Sequence, residues 1–274
     1  MKFLDLQGNK FPALGFGTWQ LEGDTCLGAV QKAIDIGYRH IDTAQIYGNE
    51  TEVGSAIEKS GIARKELFVT TKLWTNNFEA GRVASSMEES LSKLRMDYVD
   101  LLLIHWPNPE VELSETLGAM AELVKKGKTK AIGVSNFPVS EMRKAVEECK
   151  ANIACNQVEY HALLSQNAVL KYASDHNIIV TAYSPLARGK LVGHPVLTGI
   201  GAKYGKTAGQ VALRWLIEQK DVAAIPKAAS EKNARANFDI FDFELSKEDT
   251  AALNKLKGNM RVVNPSIAPE WDAA

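Results

Sequence analysis

Cysteine is scarce in this chain and nowhere spaced for metal or disulfide chemistry. Cys26, Cys149 and Cys155 are an odd set without C-x-x-C spacing. That speaks against a disulfide framework or a zinc site, and for reduced thiols packed as small hydrophobes. An excess of either charge is missing too: the formal net charge is −1, with acids and bases interspersed. Such balance carries no nucleic-acid or anionic-membrane footprint, while leaving room for a local basic pocket. Long apolar runs are also absent. The longest, around LLLIHW, is far too short to cross a bilayer, and Asp5 interrupts MKFLDLQGNK before a signal-peptide core can form. The expectation is a soluble, cytoplasmic protein. No linker rich in Pro, Gly or Ser divides the chain, so residues 1–274 are expected to form one domain. No apolar stripe demands a partner, which makes a monomer the expected state.

What is present is alternation. Short apolar or β-branched runs recur as LGFGT (14–18), HIDTA (40–44), LFVTTKL (67–73), VDLLLIH (99–105), KAIGVSN (130–136), CNQVEY (155–160), IVTAYS (179–184) and AAIPKA (223–228). Several are nearly continuous in hydrophobicity, as parallel strands covered on both faces require. Amphipathic segments lie between them. Residues 79–95 align Val83, Met87, Leu91 and Leu94 on one helical stripe. Thr207 with Gln210 has capping-box spacing, and Ser246 with Asp249 is a weaker start for a final helix over 247–257.

Eight such units predict an α/β fold, a (β/α)8 TIM barrel with extra helices late in the chain. An amino-terminal hairpin is expected around a Gly-Asn turn in FLDLQGNKFPAL. Residues 187–206 exceed what a βα loop needs and read as a functional or mobile loop. The alternative, an open doubly wound sheet, lacks a G-x-G-x-x-G after its first strand.

In such a barrel the chemistry gathers where the strands end. Asp42, inside IDTA, needs a cation if its strand is buried. Lys72, near the end of the next strand, supplies one. A Lys72 ammonium beside Tyr47 is expected to lower the phenol's pKa and make it a proton donor, with Asp42 holding the lysine charged. His105 can donate to a carbonyl oxygen or share in the proton transfer. Together the four describe a site that polarises and protonates a developing alkoxide. Two rivals stay open: a nicotinamide-binding regulatory subunit without turnover, and an aldolase using Lys72 as a Schiff-base nucleophile.

In order, GYRHIDTAQIYGNE, TTKLW, DLLLIHWP, IGVSNF, NQVEYH, AYSPLA and IPKA span essentially the whole chain. Together they resemble the aldo-keto reductases, and the short loops and the ending VVNPSIAPEWD are similar to its compact bacterial members. The resemblance implies NAD(P)H-dependent reduction of aldehydes or ketones, including methylglyoxal and sugar-derived carbonyls such as 2,5-diketo-D-gluconate. It implies Tyr47 as proton donor, Asp42 and Lys72 as its tuning pair and His105 as carbonyl orienter. Ser135, Asn136 and Gln157 would hold the nicotinamide carboxamide and Tyr183 would stack on the ring, with Thr18, Trp19 and Asp42 also touching the cofactor. Ser184, Leu186 and Gly189 would line the pyrophosphate, where Arg188 and Lys190 either add charge or stay solvated. Lys227, Ser230, Asn233 and Asn237 would meet the adenosine end, helped by helix amides over 230–239. Trp19, Tyr47, Trp74, His105 and Trp106 would form the substrate pocket, with Phe78 and tail residues 262–271 beside them. Trp215 reads as ordinary helix packing, and no metal is implied.

The chain departs from that pattern in one place. Many members read I-P-K-S followed, six residues after the lysine, by an arginine that grips the 2′-phosphate. Here Ala228 stands for the serine, Asn233 for the arginine and Ala236 for a frequent glutamate. NADPH is the expected cofactor, with Lys227 and Lys232 compensating. Loss of the bidentate donor leaves NADH use open.

Overall fold

The computed structural model describes residues 1–256 and 258–272. Near-continuous burial along each central run produces the expected parallel strands. They are β3 (Phe16–Gly17), β4 (His40–Asp42), β5 (Phe68–Leu73), β6 (Val99–Ile104), β7 (Thr129–Ser135), β8 (Ile153–Glu159), β9 (Ile179–Tyr183) and β10 (Val222–Ala224). Each pairs in parallel with its sequence neighbour, so the sheet runs β3 to β10 in order. The ring closes where Gly15 N donates to Ala224 O at 2.9 Å and Ala224 N to Ala13 O at 2.8 Å. The fold is a (β/α)8 barrel.

The covering helices follow their apolar stripes. They are α1 (Gly23–Ile36), α2 (Glu50–Lys59), α3 (Ala80–Leu94), α4 (Leu113–Lys125), α5 (Val139–Arg143, running on as a π-helix to Glu148) and α6 (Asn167–Asp175). After β9 come α7 (Pro195–Tyr204) and α8 (Ala208–Glu218), and after β10 come α9 (Glu231–Phe238) and α10 (Lys247–Asn254). The α3 stripe of Val83, Met87, Leu91 and Leu94 is buried as expected. Thr207 and Gln210 form a reciprocal capping box, and Ser246 caps α10 through Asp249 N. The last helix stops at Asn254, short of the predicted 257; Lys257 itself lies outside the described residues, as do Ala273 and Ala274 of the expected domain.

Two local expectations need correcting. The hairpin of β1 (Phe3–Leu6) and β2 (Asn9–Pro12) turns on Gln7 and Gly8, at φ 51° and 86°, and Asn9 already pairs with Leu6. A two-residue turn with both φ values positive suits the twist of the flanking strands. Residues 187–206 are no plain loop, for they contain α7. Pro195 opens it, Gly205 closes it in the left-handed region, and a Cβ on Gly201 would strike Lys206 O where the chain folds back. The hairpin plugs the amino end of the barrel, where Phe11 packs on His40 and Phe68 with centroids 4.8 and 4.7 Å apart.

Candidate active site

Strand register decides which side chains meet at the open end. Asp42 of β4 pairs with Thr70 of β5, and Lys72 lies two residues further on, hence on the same face. Lys72 pairs in turn with Leu103 of β6, which brings His105 to the same end. Lys72 Nζ donates to Asp42 Oδ1 at 2.5 Å and to Thr43 O at 2.8 Å, and stands 3.5 Å from Tyr47 Oη. An ammonium has three N–H groups, and here each has an acceptor. Lys72 and Asp42 are buried, and the second Asp42 oxygen accepts from Gln157 Nε2 at 2.7 Å. The Asp42 carbonyl takes the Thr18 hydroxyl at 2.9 Å.

Burial lowers the Lys72 pKa, while the charge of Asp42 and its hydrogen bond act in the opposite sense. Tyr47 departs from expectation. Burial, followed by the Asp42 charge, pushes its phenol well above the ordinary value, so it stays protonated. The residue reaches the mouth and is only half-buried, so water there moderates that desolvation. His105 is held well below the ordinary histidine value by burial and then by Lys72, which makes it a neutral imidazole. Its Nδ1 is buried without a partner among the described residues. The His105 ring meets Tyr47 and Trp74 edge-on, at 5.6 and 5.3 Å.

Next along the ring, Ser135 Oγ donates to Gln157 O at 2.8 Å. Asn136, left-handed at φ 64°, donates to His105 O at 2.9 Å and accepts from Tyr183 Oη at 2.7 Å. Beyond Tyr183, Ser184 and Arg188 are also left-handed, and the chain bends so that the Arg188 guanidinium lies 4.6 Å over the Trp19 ring. Leu186 packs partly against the core, while Gly189 and Lys190 are exposed. Past β10, Lys227, Ser230, Lys232 and Asn233 are exposed together at the start of α9, where Ser230 Oγ accepts from Asn233 N; Asn237 is buried.

The predicted residues therefore fall along the strand ends in ring order. The span from β7 to β10 is about 15 Å at ordinary strand spacing, with amide and hydroxyl groups at one end and exposed cations at the other. That span and donor set fit a dinucleotide. Phe78 does not join the mouth: it packs in the core and is 3% exposed. Trp106 is buried against Trp271 of the tail at 6.2 Å, while Trp215 is core, as expected, with Nε1 donating to Asn254.

Gln45 and Glu159 were not anticipated. Gln45 Oε1 accepts from Trp74 N and Asn77 Nδ2, and its amide donates to Ser86 O and Ser90 Oγ, tying the Tyr47 turn to the pocket wall. Buried Glu159 accepts from Val262 N, Val263 N and His161, clamping the tail.

The profile of the Aldo/keto reductase family matches residues 13–257. Methylglyoxal reductase DkgB of Escherichia coli O157:H7 is 43% identical, over 95% of this chain and 99% of its own length. A crystal structure provisionally described as a 2,5-diketo-D-gluconic acid reductase B superposes with a TM-score of 0.97 at 48% identity, covering 100% of this chain and 98% of the other. An aldo-keto reductase complexed with NADPH gives 0.92 at 36% identity, over 99% and 92%. On sequence and fold together, the chain belongs to the aldo/keto reductase family and is an NAD(P)H-dependent oxidoreductase.

Proposed function

We propose that this protein reduces small aldehydes and ketones to alcohols with NADPH, including 2-oxoaldehydes such as methylglyoxal and sugar-derived carbonyls such as 2,5-diketo-D-gluconate. The observation that carries the reading is the three-acceptor engagement of Lys72. Because Lys72 donates to Tyr47 Oη, the phenol's own proton is turned away from the lysine and toward the mouth. A protonated Tyr47 then gives that proton to the oxyanion as it forms. The high pKa is compatible with this, since an alkoxide is a far stronger base than a phenolate. Neutral His105 donates one N–H to the same oxygen and fixes its direction.

Ser135, Asn136 and Gln157 would hold the carboxamide of the cofactor, Tyr183 would stack on its ring, and Thr18, Trp19 and Asp42 would border it. Ser184, Leu186, Gly189 and Lys190 would cover the pyrophosphate. Lys227, Ser230, Asn233 and Asn237 would take the adenosine end. Bound NADPH supplies the hydride. Trp19, Trp74 and Trp106 would exclude water around a small carbonyl compound.

The engaged Lys72 amine has no free lone pair, which weighs against a Schiff-base role. The same reading has the chain acting as a single-domain cytoplasmic monomer on a small-molecule substrate. No helix among the described residues is long and apolar enough to cross a membrane. The test is to mix the protein with NADPH and a panel of aldehydes, methylglyoxal included, while following the absorbance of reduced nicotinamide. Turnover is expected; cofactor binding without turnover across the panel would overturn the proposal in favour of a regulatory subunit.

A further inference from the structure

The turn that carries Tyr47 is held from behind by a polar network of its own. Tyr47 ends the short 3-10 turn Gln45–Tyr47, and among the described residues its hydroxyl has one hydrogen-bond partner, Lys72 at 3.5 Å. The aim of the phenol therefore depends on where the turn sits. Gln45 fixes that place. Its Oε1 accepts from Trp74 N at 2.9 Å and from Asn77 Nδ2 at 3.0 Å. Its Nε2 donates to Ser86 O at 3.2 Å and to Ser90 Oγ at 3.1 Å. A side-chain amide has two acceptor sites and two N–H donors, and here all four are engaged.

The network continues beyond Gln45. Ser90, 1% exposed on α3, also bonds Glu50, the buried first residue of α2. Glu50 Oε1 in turn accepts from Thr71 Oγ1 at 2.6 Å. Burial raises the Glu50 pKa, while the hydrogen bonds from Thr71 and Ser90 lower it. Thr71 precedes Lys72 in β5, so the two side chains leave the strand on opposite faces. One line of hydrogen bonds thus runs from the Tyr47 turn, through Gln45, Ser90 and Glu50, to the strand that bears Lys72. It takes in the backbone of Trp74 as well, whose ring meets His105. Buried polar groups paired in this way rigidify what they join.

We propose that Gln45 is a positioning residue: through this network it sets the Tyr47 hydroxyl against Lys72 and aims its proton at the carbonyl oxygen. The inference rests on Tyr47 as the proton donor and gives Gln45 no contact with substrate or cofactor. Its leverage is geometric, since a displacement of about 1 Å in a reacting group can cost about a hundredfold in rate.

The test measures single-turnover oxidation of NADPH by a saturating aldehyde, which isolates the chemical step. Gln45→Met keeps the length of the side chain and removes all four bonds. The rate should fall about tenfold to a hundredfold, with the Kd for NADPH held within about twofold. Gln45→Glu keeps the acceptor for Trp74 N and Asn77 and should recover part of the loss. In a Tyr47→Phe background, Gln45→Met should lower the residual rate less than about twofold, because no phenol is left to aim. An equal fall in both backgrounds, or none in either, overturns the inference while leaving a reductase. A second readout needs no turnover: with 3-fluorotyrosine incorporated, the fluorine resonance that Tyr47→Phe deletes should shift or broaden in Gln45→Met. If wild type reduces no aldehyde, the reductase reading fails and that resonance decides alone. A shift then keeps Gln45 as the anchor of Tyr47, and an unmoved resonance overturns it. Should Gln45→Met not fold, Ser90→Ala cuts one link and carries the same decision, with a severalfold loss expected only where Tyr47 is present.

Discussion

Gln157 Nε2 donates to Asp42 Oδ2 at 2.7 Å, and the two residues sit on β8 and β4, four places apart in the eight-stranded ring. The bond crosses the barrel from wall to wall. It completes the set of acceptor contacts of a carboxylate whose other oxygen faces Lys72. Replacing Gln157 by Leu leaves one oxygen of a 1%-exposed carboxylate without its donor. The expected cost is about 1–3 kcal/mol of unfolding free energy, read as a lower urea midpoint at unchanged slope. An unaltered midpoint would mean that Asp42 draws little from this bond.

Tyr47→Phe removes the proposed donor but keeps the ring against His105. Reduction is expected to slow by about 10²- to 10⁴-fold in kcat, with NADPH affinity held within about twofold. Lost affinity would count against the role. The pH dependence follows from direction: burial and Asp42 raise the phenol's pKa, so the proton is retained as pH rises, and kcat in wild type should not fall through a tyrosine titration below pH 10.0. A descending limb centred near neutrality, absent in Tyr47→Phe, would instead place a depressed tyrosine in the site.

Much of this was legible in the sequence because barrel strands advertise themselves. β5 and β6 are buried along their whole length, and Lys72, next to last in β5, and His105, just past β6, stand out as polar residues where the strands end. Gln45 and Glu159 had no such signal. Gln45 lies inside DTAQIY, and its partners at Trp74, Asn77, Ser86 and Ser90 are 29 to 45 residues away. Glu159 clamps amides 103 and 104 residues on. Long-range polar pairing leaves no local period to detect. The Tyr47 shift was missed for a related reason: proximity to Lys72 is readable from spacing, but desolvation is a property of the finished packing. In α7, Gly201 has no helix propensity to announce it: the chain folding back at Lys206, just past the helix, is what requires a glycine there.

At the opposite end of the barrel His40 sets a stability prediction. Burial lowers its pKa from 6.5 to about 4, and its Nε2 contacts Thr70 Oγ1 at 3.1 Å. The unfolded chain therefore binds the proton more readily than the folded one between those values. The contribution is present above pH 6.5 and lost as pH falls toward 4, for a total of about 3 kcal/mol. In His40→Gln the packing against Phe11 and Phe68 is lost at every pH, but the acid-sensitive part goes with it. The gap in urea midpoint between wild type and variant should narrow on going from pH 7 to pH 4.5. A constant gap would mean that His40 does not titrate in this window.

The adenosine end offers the sharpest substitution. Asn233 is exposed on the first turn of α9, its backbone N–H already satisfied by Ser230, and Lys227 and Lys232 lie close by in sequence and also exposed. Two flexible ammonium groups can neutralise a 2′-phosphate, but neither provides the planar pair of N–H donors that holds it in one geometry. Asn233→Arg supplies that pair without disturbing the cap, because the side chain of Asn233 takes no part in it. The ratio of kcat/KM for NADPH to that for NADH should rise about tenfold or more, almost wholly through the KM for NADPH, and the gain should shrink as salt is raised. If the ratio does not move, the 2′-phosphate does not lie over the start of α9, and the proposed direction of the cofactor along β7 to β10 has to be given up.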